Sequence, residues 1–304
     1  MDDFQTEWRK PNNITFRIIF VNVAAWVILF LLSALGSGHT GVMATVYNVV
    51  RKTIYLSPDL MTFIIRPWTL FTYAFAHEGF FHILFNMLVF YWFSIILKNY
   101  LGSMRVLAIY LYGAAVGGVF YLLLYNLIPA FGATASSAGL LGASGAVYAI
   151  VAATATLLPD QRIHLLFIGP VKLKYVALVY VGLSFLMFLG GSNAGGNMAH
   201  LGGALMGFVF IRQYQEQNDL STPLVNFIEY IESAFKDKPK MKTTKGGGKK
   251  AKGEKKSSGT SSAGKTGNVD QDEVDRILDK ISESGYEKLT KEEKQILFRA
   301  SQKK

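Results

Sequence analysis

The sequence contains no cysteine, so neither a disulfide bridge nor a thiolate-bound metal can form within the chain. Acidic residues are absent from each of six apolar segments, which excludes a buried carboxylate within those segments. Hydrophobic residues make up 51% of the chain, and the mean hydropathy is +0.27. This composition excludes an ordinary soluble domain and is typical of a polytopic membrane protein.

Positive charge is concentrated in one short segment. Eleven lysines lie between Lys236 and Lys265, against only Asp237 and Glu254, while the formal net charge of the whole chain is +10. A basic segment beside a membrane fixes topology and contacts anionic lipid, so it does not indicate nucleic-acid binding. We therefore expect membrane lipid, including anionic lipid, as a partner and no nucleic acid.

Six apolar segments are candidate membrane spans, namely 14–35, 79–97, 107–127, 142–158, 176–189 and 197–211. The first has about 22 residues, which at ~1.5 Å per residue crosses the ~30 Å hydrocarbon layer. The fourth and sixth, with about 16 residues, reach only roughly 24 Å. Residues 36–78 show apolar residues at helical spacing, which predicts short amphipathic helices at the interface. We expect an all-α membrane protein with a six-helix bundle.

The basic residues predict an orientation. In a six-span arrangement nearly all Lys and Arg residues fall on one side, and the loops after the third and fifth spans carry none. Only Arg51, Lys52 and Arg66, in the first loop, fall on the other side. By the positive-inside rule both termini are cytoplasmic.

Composition also predicts where the chain divides. We expect a cytoplasmic N-terminus at 1–13, a six-span domain at 14–213 and an amphipathic juxtamembrane helix at 214–235. A flexible linker rich in Gly, Ser and Lys follows at 236–267. Residues 268–304 are predicted to form a small cytoplasmic helical hairpin, whose second helix opens with the capping box of Thr290 and Glu293. A cytoplasmic partner is one possible role for this hairpin, and a solubilising tether is another.

Polar side chains inside spans are costly, and they cluster here. His82 and Asn86 are four residues apart and share one face of the second span, Ser144 opens the fourth span, and His200 lies near the start of the sixth. With a cytoplasmic N-terminus these three spans all run from outside to inside. His82, Ser144 and His200 are therefore predicted to lie at a similar depth in the outer half of the membrane.

Proton chemistry assigns a candidate role to each residue. Ser144 is the candidate nucleophile, which needs a base, and the imidazole of His200 suits that role at neutral pH. Because no span contains Asp or Glu, we predict a Ser–His dyad rather than a triad. The Ser144 N–H at the start of a helix, the Asn86 amide and His82 would form an oxyanion hole. Tyr148, one turn after Ser144, is expected to pack against the imidazole. No metal or cofactor is expected.

Each of these residues also has a structural interpretation. Ser144 beside glycines is common at close helix contacts in membrane bundles. Asn86 taken alone is more often a helix–helix hydrogen bond, and His82 is also consistent with an interfacial position. His200 is alternatively the partner of a backbone carbonyl, and Tyr148 is more often core packing. The joint pattern at one depth favours catalysis over these separate interpretations.

The combination of motifs resembles the rhomboid family of intramembrane serine proteases. It comprises His77-x4-His82-x3-Asn86, Gly142-x-Ser144-Gly145 with Tyr148 one turn on, and His200-x2-Gly203-x3-Gly207. The resemblance covers roughly Ile14 to Ile211 and implies a six-helix bundle with Ser144 as nucleophile, His200 as base, and Asn86, His82 and the Ser144 N–H as oxyanion donors. One departure is that Trp68 is followed by Thr69, where the family often has Trp-Arg.

The resemblance further implies that the substrates are single-span transmembrane proteins, cut in or near the membrane without a cofactor. The C-terminal hairpin is similar to a helical appendage of some bacterial rhomboids, so a bacterial plasma membrane is expected. We predict an intramembrane serine endopeptidase. The alternatives are a catalytically silent rhomboid-like adaptor that binds transmembrane clients, and a channel or transporter, which the lack of intramembrane charge disfavours.

Overall fold

The computed structural model describes residues 13–36, 41–132, 139–165, 168–235, 271–284 and 289–301. Within the chain, contacts define two units, Met1–Pro239 and Lys240–Lys304. The predicted N-terminal segment before residue 13 and the predicted basic linker at 236–267 lie outside the described residues.

The first unit is helical apart from one short hairpin. Its elements in chain order are α1 (Ile14–Gly36), α2 (Val42–Ile54), α3 (Leu60–Ile65), α4 (Thr69–Thr72), a 3₁₀ turn (Tyr73–Phe75), α5 (Phe80–Leu101), α6 (Ser103–Leu127), α7 (Pro129–Gly132), α8 (Ser144–Leu157), β1 (Arg162–Leu165), β2 (Gly169–Lys172), α9 (Leu173–Leu189), α10 (Ala194–Gln215) and α11 (Thr222–Phe235).

Six of these helices correspond to the predicted spans. Among the described residues α1, α5, α6 and α10 are long and apolar enough to cross a membrane, while α8 and α9 are shorter apolar helices. The all-α membrane class is confirmed. The predicted length of the sixth span is wrong, because α10 has 22 residues. That helix begins at its cap, Asn193, and continues past Arg212 through a polar last turn.

One element was not predicted. Strands β1 and β2 form an antiparallel hairpin between α8 and α9, with Ile163 paired to Val171. Its strands have four residues each, which is too short for the alternation of polar and apolar residues to be distinctive.

Helix α8 occupies the centre of the bundle. All of its residues from Gly145 to Ala155 are buried, and most are Gly or Ala. A helix buried on every side needs small residues where its neighbours approach. A Cβ added to Gly203 of α10 would overlap the Gly145 carbonyl oxygen, and one added to Gly207 would overlap that of Ala149. These two glycines therefore allow α10 to pack closely against α8.

The first loop is tied to the segment that leads into α8. Leu56 and Leu140 exchange two backbone hydrogen bonds, of 3.1 and 2.9 Å. Tyr73, which is 1% exposed, donates its hydroxyl proton to the carbonyl of Ala114 in α6 at 2.7 Å. The backbone N–H of Gly142 donates to the carbonyl of Tyr73 at 2.9 Å. The segment before Ser144 is thereby held from two directions.

The second unit contains two described helices, α12 (Gln271–Ser284) and α13 (Lys291–Ser301). Thr290 and Glu293 make the reciprocal hydrogen bonds of a capping box, of 2.8 and 3.3 Å. Lys280 of α12 pairs with Glu293 at 2.8 Å, which joins the two helices.

Candidate active site

A cavity of about 810 Å³ contains all five side chains that the sequence analysis selected. They come from three helices: His82 and Asn86 from α5, Ser144 and Tyr148 from α8, and His200 from α10. The five side chains thus meet in a single cavity, and their common depth in the membrane stays a prediction.

Ser144 and His200 are in direct contact. The distance from His200 Nε2 to Ser144 Oγ is 2.7 Å, within the range of a short hydrogen bond. Both residues are half-buried and line the cavity, so water and a substrate backbone can reach them. A nucleophile beside a base at this distance is the arrangement that acyl transfer requires.

The backbone before Ser144 has an unusual conformation that requires glycine. Gly142 has φ of +109°, and a Cβ there would lie 2.9 Å from His82 Nε2. A side chain at this position would therefore meet both backbone strain and a clash with the His82 ring. The glycine lets His82 approach the start of α8.

Two of the three backbone N–H groups from Gly142 to Ser144 already have hydrogen-bond acceptors. Gly142 donates to Tyr73, and Ala143 donates to His77 Nε2 at 3.2 Å. Within the described part of the chain the next N–H, that of Ser144, has no hydrogen-bond partner. The first N–H groups of a helix lack intrahelical acceptors and attract negative charge. The Ser144 N–H is thus free to bind an oxyanion.

His77, the first residue of the His77-x4-His82-x3-Asn86 motif, supports the segment before Ser144. It is 1% exposed, lies in the loop before α5, and its ring centroid is 5.0 Å from that of His82. Burial, and then the nearby His82, lower the pKa of His77 from the ordinary 6.5 to about 3. The ring therefore stays neutral, and the hydrogen bond from the Ala143 N–H requires Nε2 to be its unprotonated nitrogen.

Asn86 is 6% exposed and donates one amide hydrogen to the carbonyl of His82, one turn earlier, at 2.8 Å. This bond lies within α5, so the helix–helix hydrogen bond considered above is not what the described residues show. An amide carries two hydrogens, and the second is available to the cavity that Asn86 lines.

Aromatic rings and polar side chains hold His200 on its other sides. The Tyr148 ring stacks on the imidazole, with centroids 4.3 Å apart and planes at 6°. Tyr180 stacks on Tyr148 in turn at 4.2 Å. Ser184 Oγ lies 2.9 Å from His200 Nδ1 and donates to Asn197 Oδ1 at 2.8 Å. The expected packing of Tyr148 against the imidazole is present, and the described hydrogen bonds of the ring go to serines rather than to a backbone carbonyl.

Comparison with known proteins identifies the family of this chain. A family model of the Rhomboid domain matches residues 65–215. The Rhomboid protease GlpG of Haemophilus influenzae is 30% identical over 155 residues, which cover 50% of this chain and 73% of that protein. This chain belongs to the rhomboid family.

Two further rhomboid relatives are mitochondrial proteins. RHOMBOID-like protein 12 of Arabidopsis thaliana is 34% identical over 147 residues, covering 46% of this chain and 44% of that protein. Rhomboid protein 1 of Saccharomyces cerevisiae is 27% identical over 204 residues, covering 66% and 53% respectively. This rhomboid chain spans about half the length of these two relatives. They do not support the expected bacterial plasma membrane, whereas a membrane location agrees with the several apolar helices.

Outside the rhomboid domain, residues 267–303 match a family of unknown function. This match falls on the predicted C-terminal hairpin and assigns it no role.

Three residues around the rhomboid site were not selected from the sequence. Asn197 precedes His200 by three residues on one helical face, which is a readable signal. Ser184 is a polar residue in an apolar helix, which is also a signal, but its contact with His200 depends on how α9 is rotated. Tyr180 has the pattern of ordinary core packing, so nothing in the sequence distinguishes it.

Proposed function

We propose that this rhomboid is an intramembrane serine endopeptidase that cleaves transmembrane segments of other membrane proteins. The observation that carries the proposal is the 2.7 Å contact between Ser144 Oγ and His200 Nε2 inside an accessible cavity. A packing serine has no need of an imidazole at this distance, whereas a nucleophile does.

In the proposed reaction, Ser144 Oγ attacks the carbonyl carbon of the scissile peptide while its proton passes to His200 Nε2. The resulting oxyanion receives hydrogen bonds from the Ser144 N–H, the second Asn86 amide hydrogen and His82. Donors fixed in place before the reaction stabilise developing charge strongly in a site with little water. His200 then gives its proton to the leaving amine, and an acyl-enzyme ester on Ser144 remains.

Water completes the cycle. His200 Nε2 takes a proton from a water molecule, whose oxygen attacks the ester carbonyl, and the proton returns to Ser144 Oγ as the ester breaks. The cavity of about 810 Å³ has room for a water beside an extended peptide. A substrate helix must unwind locally first, because the hydrogen bonds of its backbone are satisfied within the helix.

Several finer expectations remain proposals. We propose that both termini lie on the side of the membrane that carries the basic loops, and that the substrates are single-span proteins. The bacterial plasma membrane remains a prediction from the resemblance alone. Contact of the lysine-rich linker with anionic lipid, the boundaries of the predicted domains and a partner for the C-terminal hairpin are likewise predictions.

The test is covalent labelling of the purified protein in detergent by a fluorophosphonate probe, which reacts with activated serines. We expect the wild type to label and Ser144→Ala to lose labelling, because the reacting oxygen is gone. We expect His200→Ala to lose at least about 100-fold in labelling rate, since a general base contributes about 10²–10⁴-fold. Ser33→Ala, in α1 and outside the cavity, is the matched control and should label like the wild type.

An unlabelled wild type that is folded, beside a related protease that labels in the same detergent, would overturn the proposal. The adaptor would then be the better assignment, because the same cavity can hold an unwound segment of a client without cutting it.

A further inference from the structure

The structure contains a polar chain behind His200 that the proposed dyad does not use. Ser184 of α9 and Asn197 of α10 are 1% and 4% exposed, so neither is solvated. Buried hydroxyl and amide groups are costly unless they are hydrogen-bonded, and here they are bonded to each other and to the imidazole. The chain therefore runs from Asn197 through Ser184 to the base.

The orientation of the Asn197 amide is fixed by the backbone. Its Nδ2 donates to the carbonyl of Ser192 at 2.6 Å, which requires the nitrogen to face the loop before α10. The oxygen Oδ1 must then face Ser184. An amide oxygen is only an acceptor, so the Ser184 hydroxyl has to supply the hydrogen for the 2.8 Å contact.

A hydroxyl group has a single hydrogen, and this decides the tautomer of His200. Once the Ser184 hydrogen is directed at Asn197, only lone pairs of Ser184 Oγ remain to face Nδ1 at 2.9 Å. Nδ1 must therefore carry the proton in the neutral ring. Nε2 is then the unprotonated nitrogen, and it can only accept from Ser144 at 2.7 Å.

We propose that Ser184 and Asn197 are positioning residues that fix the Nδ1–H tautomer of His200, so that Nε2 is ready to take the Ser144 proton. Resting on the proposed function, the inference extends the predicted dyad to the chain Asn197–Ser184–His200–Ser144. Neither added residue touches the substrate. Ser184 and Asn197 orient the histidine with neutral groups, a role that a carboxylate has in a serine triad.

The opposite tautomer has a specific cost in this arrangement. With hydrogen on Nε2, Nδ1 would need a donor, and the Ser184 hydroxyl would have to leave Asn197. The Oδ1 atom would then be buried without its partner, and Nε2–H would point at the oxygen that should lose a proton. The chain thus favours the productive arrangement before any substrate arrives.

The direct test is nitrogen NMR of protein with ¹⁵N in its histidine rings, measured in detergent above pH 7. The chain has five histidines, and His200 is assigned by comparison with His200→Gln. We expect a protonated Nδ1 and an unprotonated Nε2 in the wild type. Asn197→Ala removes the acceptor, so the Ser184 hydroxyl should turn to Nδ1 and shift the ring toward Nε2–H.

The second readout is the rate of fluorophosphonate labelling. Ser184→Ala and Asn197→Ala should each lower this rate by about 10- to 100-fold, less than the ~10⁴-fold lost when a charged orienting residue is neutralised. The double variant should lose no more than the worse single variant, because both act through one ring. Ser94→Ala is the control: it also removes a buried serine, one bonded to Thr15 at 3.0 Å but remote from His200.

Each outcome is decisive. An Nε2–H tautomer in wild-type protein, or an unchanged tautomer in both alanine variants, would overturn the inference even if the enzyme labels well. Should one variant fail to fold, the other still reports on the same ring. An Nδ1–H tautomer in a wild type that does not label would support the positioning chain while the protease proposal fails.

Discussion

At the scale of single residues, no carboxylate among the described residues is in contact with Ser144 or His200. Neutral donors and acceptors replace it: the backbone holds Asn197, Asn197 orients Ser184, and Ser184 faces His200. Burying a charged group within a bundle costs several kcal/mol, so a neutral chain is the less costly way to orient a base inside a membrane.

His77 offers a residue-scale prediction about pH. Its folded-state pKa of about 3 lies below the ordinary 6.5. Between pH 3 and pH 6.5 the unfolded chain therefore binds a proton at His77 that the folded chain does not bind. Stability is unaffected above pH 6.5 and falls as the pH drops below it. At pH 4.5 the loss from this residue is about 2–3 kcal/mol, at 1.36 kcal/mol per pH unit. His77→Gln keeps an acceptor for the Ala143 N–H but does not titrate.

The measurement is thermal unfolding in detergent at pH 7.5 and pH 4.5 for wild type and His77→Gln. All other ionisable groups are the same in the two proteins, so the difference between their losses of apparent Tm reports on His77. We expect the wild type to lose more apparent Tm on acidification than the variant does. Equal losses in the two proteins would show that His77 is not the group that resists protonation.

At the scale of helices, the distance between Ser144 and His200 depends on how closely α8 and α10 approach. Ser144 belongs to one helix and His200 to the other, and Gly203, like Gly207, is a point where the two backbones approach closely. Small residues permit this approach, and close packing in membranes supplies much of the attraction between helices. The close contact between α8 and α10 therefore both stabilises the bundle and sets the distance between Ser144 and His200.

Gly203→Ala tests this dependence. The added methyl would overlap the Gly145 carbonyl, and backbone cannot rotate away as a side chain can. We expect a loss of about 1–3 kcal/mol in the free energy of unfolding, as for overpacked cores, together with slower fluorophosphonate labelling. The matched control is Gly182→Ala in α9, where an added methyl meets nothing within 4 Å.

Alanine is the better helix former by up to about 1 kcal/mol, so Gly182→Ala should be neutral or stabilising. Unfolding in detergent and the labelling rate are measured for both variants. If Gly203→Ala proved as stable and as reactive as Gly182→Ala, the close approach of α8 and α10 would not govern the site.

Sequence patterns predicted these elements unevenly, for physical reasons. Hydropathy located all six apolar helices, because a membrane span must be apolar along its length. It placed the end of the sixth at Ile211, since hydropathy does not register a polar turn that continues a helix, as Arg212 to Gln215 does. The meeting of Ser144 with His200 followed from the alternating direction of the spans. The contact of Ser184 with His200 did not, because helix rotation leaves no trace in hydropathy.

At the scale of the whole molecule, the distribution of basic residues predicts how the spans are oriented in the membrane. That orientation in turn predicts from which side a substrate reaches Ser144. The predicted direction of the spans places Ser144 nearer the side opposite the basic termini. The cavity beside Ser144 shares Glu78 and Leu141 with the polar cavity of the first loop, so that loop is expected on the same side as the entrance.

The absence of cysteine makes this orientation directly testable, because a single introduced cysteine has no background. Asn48→Cys lies on exposed α2 of the first loop, and Glu216→Cys follows α10. In intact cells a membrane-impermeant maleimide should label the first and reach the second only after permeabilisation, with the cysteine-free parent unlabelled in both states. The reverse pattern would invert the predicted topology, and a substrate would then have to meet Ser144 from the side of the lysine-rich linker.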